Sequence, residues 1–195
     1  MAKKKENKKE SQNTTPEINI NGSEKYVGNV KIRVVRNGHI LNDITKHNEG
    51  NYPLFSFLVA CLNSTFDING VPNYIGLLYN KEGSTPKLLH SVSIPKSSRF
   101  VSKKRIENTS TEVPQVNYQF TIPASYLFTS SEYLNDDGLV EINRLQLYNS
   151  YAGNINNINN YCAQIDLDSD NSIKLNPSDI QKYTIFVTWS LYITN

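Results

Sequence analysis

The residues whose types and spacing come closest to chemistry are three alternating carboxylates, Asp166, Asp168 and Asp170. Alternating acids open a calcium-binding loop, which then needs glycine at its sixth position and a bidentate glutamate at its twelfth. Counted from Asp166 those places hold Asn171 and Pro177, so the run reads as a strand end with solvated carboxylates. The histidines, His39, His47 and His90, are scattered, and none stands in a metal-ligand spacing with cysteine or aspartate. Cys61 and Cys162 both lie in apolar segments, which points to free buried thiols and not to a disulfide framework. Asp136 and Asp137 precede Gly138 and read as turn chemistry. No phosphate-cradling glycine loop, nucleophile elbow or zinc signature is present. The expectation is a protein that is not an enzyme, with no catalytic, cofactor-binding or metal residues; only groups assembled in space from distant segments would make it one.

The elements that would position any site are strands. Val30, Ile32 and Val34 alternate with Lys31 and Arg33, the pattern of a half-buried strand. Asn37-Gly38 follows, the pair favoured where both turn residues need positive φ, and Ile40, Asn42 and Ile44 continue the return strand. Pro53 to Leu62 places Leu54, Phe55, Leu58 and Leu62 at helical spacing behind an N-terminal proline, predicting one short core helix over about 53–62. Tyr74 to Tyr79 reads as a buried strand, Leu88 to Ile94 as a weaker one, and Lys96 to Arg105 as a basic loop or edge. Val116, Tyr118, Phe120 and Ile122 alternate up to Pro123. Val140 and Ile142 give way to Leu145 and Leu147, a step in phase of the kind a β-bulge produces.

The clearest segment is Tyr183 to Thr194, which places Tyr183, Ile185, Val187, Trp189, Leu191 and Ile193 on one face. Twelve residues of period two predict a long strand. Seven or eight such strands predict an all-β domain, an antiparallel β-sandwich or related barrel.

Charge is unevenly spread along the chain. Met1 to Glu10 holds five lysines and two glutamates, a local +3 against +2 for all 195 residues. Residues 1–25 carry no aromatic side chain before Tyr26 and read as a basic, flexible N-terminal arm, with 26–195 as one folded domain. Within the arm Lys3, Lys4, Lys5, Lys8 and Lys9 supply charge, and Ile18 and Ile20 are its anchors for assembly. The remaining residues sum to −1, so any nucleic-acid contact is confined to the arm. No apolar run follows the N-terminal lysines to make a signal peptide. No stretch approaches the roughly 20 apolar residues of a membrane span. The expectation is a soluble chain made in a cytoplasm, with no membrane partner.

Three segments, in order, resemble a class of tailed-bacteriophage virion proteins. In that class an Asn-x-Gly start leads to an apolar helix and a strand similar to Pro-x-Tyr-Ile-Ala-Leu-Gly. The corresponding residues are His47-Asn48-Glu49-Gly50, then Leu54 to Leu62, then Pro72-Asn73-Tyr74-Ile75-Gly76-Leu77. Leu139 to Tyr148 resembles a later Ile-x-Glu-x-Gly-Leu-Phe segment, with Gln146 in place of its glycine. Cys162-Ala163-Gln164-Ile165 and Thr188-Trp189-Ser190-Leu191 resemble its ending, with Gln164 in place of an arginine. The resemblance implies a structural subunit of a virion, attached to the capsid or to the tail and fibre apparatus, and it brings no catalytic residues.

The functional expectation is therefore binding to other virion proteins, as a homo-oligomer located in the virion, through a neutral surface rich in Tyr and Asn. The alternative is a receptor- or carbohydrate-binding module using a contact loop of Tyr148, Tyr151, Asn154 and Asn157.

Overall fold

The computed structural model describes residues 19–20, 24–50, 74–93, 98–105, 110–148, 161 and 163–194. The helix expected over 53–62, both cysteines, Tyr151, Asn154, Asn157, the five arm lysines and Ile18 lie outside the described residues.

The fold is all-β, an antiparallel sandwich. Its strands are β1 (Asn19–Ile20), β2 (Glu24–Arg36), β3 (His39–Gly50), β4 (Tyr74–Tyr79), β5 (Lys87–Ser93) and β6 (Arg99–Arg105). They continue as β7 (Glu112–Pro123), β8 (Val140–Ile142), β9 (Arg144–Tyr148), β10 (Ala163–Asp166), β11 (Ile173–Leu175) and β12 (Tyr183–Thr194). The strand order is β5-β4-β9-β10-β3-β2-β12-β7-β6, with β1 paired to β2 and a separate ribbon of β11 and β8. β3 joins the two halves: its first part pairs with β2, and Glu49 and Gly50 pair with β10. Ile20 of the expected arm stands in β1, opposite Glu24.

Both halves close on one core. Val30, Ile32, Tyr118, Ile122, Val187 and Trp189 come from one side, and Ile75, Leu77, Leu145, Leu147 and Ile165 from the other. The ribbon adds Val140, Ile142, Ile173 and Leu175 to the same cluster. Trp189 is fully buried with Tyr118 as its cross-strand partner, as period two requires. At the hairpin, Asn37 and Gly38 have φ of 49° and 84°, the left-handed pair that lets the strands keep their twist.

Three local features differ from the sequence expectation. The step between Ile142 and Leu145 is not a bulge: at Asn143 the chain leaves the ribbon and enters the large sheet. Asn143 fixes the corner by accepting from the backbone N–H of Asn80 at 2.7 Å and donating to its carbonyl at 2.9 Å. The register shifts instead lie elsewhere. One follows Val34, where Val34 opposes Asn42 and Val35 opposes Ile40. Leu41 is the extra residue, so Ile40 turns to the outer face while Ile44 stays buried. The other leaves Leu89 unpaired between Leu88 and His90.

Candidate functional site

β3, β2, β12, β7 and β6 are consecutive in the sheet and share an outward face. Register places side chains there in rows: Thr45, Lys31, Thr188 and Gln119 form one, and Asp43, Arg33, Phe186 and Thr121 the next. Val35 faces Ile40 beyond them. Lys31, Arg33, Val35, Ile40, Phe186 and Thr188 line a shallow groove of about 510 Å3. Ile40 is 55% exposed and Phe186 40% exposed, so water covers an aliphatic and an aromatic side chain on a rigid sheet. Asp43 supplies the counter-charge, accepting from Arg33 at 2.9 Å and lying 3.5 Å from Lys31. Those two cations, Arg33 first, hold its carboxyl below the usual carboxylate range. The arrangement offers apolar contact beside the ion pairs that Asp43 makes with Arg33 and Lys31, which suits binding.

The same face is stiffened toward β6. Asn117, 3% exposed, donates to Ser102 at 2.8 Å. Its carbonyl accepts from Ser190 at 2.8 Å and from Gln115 at 2.6 Å. One amide thus ties β12, β7 and β6 together, a buried polar group with its partners made. Lys104 stands over the Tyr192 ring, 5.8 Å from its centroid.

A second polar chain runs across β9 and β10. Tyr148 donates its phenolic hydrogen to the Gln146 side chain, and Gln146 donates to Gln164 at 2.6 Å. Gln164 in turn donates to Asp166 at 3.0 Å, and Arg144 closes the chain on Asp166. Gln146 and Gln164 hold the two places where the resembling class carries glycine and arginine, and here they bond each other. Tyr148 is fully buried, and burial pushes its hydroxyl well above the ordinary tyrosine value. That corrects its expected place in an exposed contact loop. It ends a strand whose alternate residues are also covered, so neither ring nor hydroxyl is offered to a ligand.

The alternating acids are divided among separate partners. Asp166 pairs with Arg144, and Asp168 accepts from Lys46 at 2.5 Å and from the Asn171 side chain at 2.7 Å. Asp170 is exposed. The histidines are not brought together: His39 and His47 stand at opposite ends of β3, and His90 is on β5, 5.7 Å from the Tyr126 ring. Burial lowers the His90 pKa, favouring neutral imidazole. No group of three or more His, Cys, Asp or Glu side chains among the described residues is placed to hold a metal ion. A small cleft of about 170 Å3 beside Tyr79 contains Lys81, which bonds both oxygens of Asp136 at 2.7 and 2.8 Å.

Sequence reasoning missed the groove because its two most exposed apolar members, Ile40 and Phe186, come from different rules. Phe186 lies on the polar face of β12 and was visible as an exception to its own alternation. Ile40 faces outward only through the bulge, which no residue type announces. Searches of protein-family models, curated proteins and solved structures find no match for this chain.

Proposed function

We propose that this chain is a non-enzymatic structural subunit of a bacteriophage virion, attached to the capsid or the tail and fibre apparatus through protein–protein contacts. The observation that carries the reading is the exposed pair Ile40 and Phe186 on a sheet face beside the ion pairs of Asp43 with Arg33 and Lys31. Large apolar side chains in a polar rim are what a protein interface buries. The resemblance of Pro72 to Leu77 and Leu139 to Tyr148 to virion proteins supplies the context. In this reading the subunit associates with further copies and with other virion proteins, and the basic N-terminal arm reaches neighbouring chains. The receptor- or carbohydrate-binding alternative is weaker, because Tyr148, one of its contact residues, is enclosed.

The reading is tested with the double variant Ile40→Ser and Phe186→Ser. Ile40 is 55% exposed and Phe186 40% exposed, so each truncation gives up part of the about 1.5–3 kcal/mol that full burial of such a side chain contributes. The variant should melt somewhat below the parent protein, remain folded, and enter particles at reduced copy number. Incorporation at the parent's level would remove this face from the account.

A further inference from the structure

The loop after β4 and the segment that leads to β8 meet beside Tyr79 in a polar cleft of about 170 Å3. The chain that builds both walls is described without a gap, over 74–93 and 110–148. Each wall is fixed by its own hydrogen bonds. On one side Asn143 holds the backbone of Asn80, and the Ser84 N–H bonds the Lys81 carbonyl at 3.0 Å. On the other, the Asn135 side chain accepts from the N–H groups of Asp137 and Leu139 at 3.0 and 2.9 Å and donates to Glu141 at 2.7 Å. That sets the turn carrying Asp136, and Lys81 ties the walls together by bonding both Asp136 oxygens at 2.7 and 2.8 Å. Walls already ordered lower the entropic cost of binding.

Tyr79 reaches this cleft from the core. It is 8% exposed and its ring belongs to the hydrophobic cluster. Its hydroxyl has no hydrogen-bond partner among the described residues and is not sealed from solvent, so it opens on the cleft that Tyr79 lines. Burial raises the pKa of the phenol, and the charges of Glu141, Lys81 and Asp136 act on it in that order. The hydroxyl therefore keeps its proton and is a donor without a protein acceptor.

The rest of the lining states the ligand. Lys81 and Lys87 stand with Glu132 and Asp136, so the charges cancel, and Ser84 and Thr85 add hydroxyls. An anion would meet two carboxylates, and a metal ion two ammonium groups. A neutral polyhydroxylated ring meets neither objection, since each of its hydroxyls can donate to a carboxylate and accept from an ammonium. Apolar surface for the carbon face of such a ring adjoins the cleft. Phe128 is 52% exposed, and its ring centroid is 5.0 Å from that of Tyr133, which stands between the lining residues Glu132 and Leu134. The cleft is smaller than the roughly 300–1,000 Å3 of a drug-sized site, which suits a single ring.

We propose that this cleft binds one neutral hexose unit of a saccharide, with the Tyr79 hydroxyl, Lys81 and Asp136 bonding its hydroxyls and Phe128 against its carbon face. The site is separate from the enclosed Tyr148, and the inference does not rest on the virion role.

The isotopically labelled full chain is titrated with the methyl glycosides of glucose, galactose, mannose and N-acetylglucosamine, and separately with inorganic phosphate and with calcium. At least one glycoside should shift amide resonances within 79–87 and 131–137 saturably, and neither ion should do so. Tyr79→Phe should leave the melting temperature unchanged, because the hydroxyl bonds nothing in the protein. The same variant should weaken glycoside binding roughly three- to tenfold, the value of one hydrogen bond. Phe128→Ala should weaken it as well. No shift from any glycoside, shifts confined to other strands, shifts from phosphate or calcium alone, or a Tyr79→Phe variant that binds like the parent would each overturn the inference. Glycoside binding in the cleft by a chain absent from particles would keep the site and remove the virion role.

Discussion

The ring of Tyr148 lies against the backbone of Gly76, diagonally across the β4–β9 pair, where Tyr148 opposes Tyr74 and Gly76 opposes Gln146, so closely that a Cβ on Gly76 would stand 2.8 Å from Tyr148 Cε2. Leu88 Cδ1 and Leu78 Cδ1 would be 3.2 and 3.4 Å away. The ring cannot retreat, because its hydroxyl is bonded to Gln146 and the residue is fully buried. Gly76→Ala should therefore destabilise the domain by about 1–3 kcal/mol, the range for overpacking a filled interior. A denaturant melt checks it. An unchanged midpoint would mean that the Tyr148 ring is free to move.

Trp189 is the largest fully buried side chain. It sits in the middle of β12, which is hydrogen-bonded on both sides by β2 and β7. Trp189→Ala should cost about 3–5 kcal/mol, as expected for truncating a buried aromatic. A loss under about 1 kcal/mol, typical of a surface site, would place the tryptophan outside the core.

Asn117 is the buried polar residue that joins three strands. Asn117→Ala should cost about 1–3 kcal/mol, since it leaves the Ser102 and Ser190 hydroxyls short of a partner. Amide exchange should rise most in β6, which β7 and this network hold. Uniform acceleration over all strands would contradict that assignment.

Period two was legible wherever one face met the core, as along β7 and β12, because burial alone sets the alternation there. The Asn37-Gly38 turn was legible because its backbone demands those residues. The course of Val140 to Leu147 was not. A bulge and a change of sheet shift the phase alike, and only the pairing of β8 with β11 and of β9 with β10 tells them apart. Tyr148 was misplaced for a related reason. The neighbouring asparagines suggested a loop, while its burial depends on Gly76, over seventy positions earlier.

Acid should weaken the fold through its paired carboxylates. The Lys46 ammonium, followed by Asn171, holds Asp168 down to about 2 from the ordinary 3.8. Asp179 is lowered by Lys182 and Arg36, and Asp43 by Arg33 and Lys31. A carboxyl whose pKa is depressed by folding stabilises fully above its unfolded pKa, and that contribution is lost as pH falls toward the folded value. The melting temperature should thus fall between about pH 4 and pH 2, the window between the ordinary and folded pKa values. Asp168→Asn should make that fall shallower. A variant profile parallel to the parent's would show that the Lys46 pair contributes nothing to stability.

The most direct measurement is the copy number of this chain in purified phage particles, obtained by quantitative mass spectrometry against a major capsid protein of the same particles. A structural subunit should be present in a fixed, multi-copy ratio that survives gradient purification and high-salt washing. Absence of the chain, or a trace amount that varies with purification, would contradict the account.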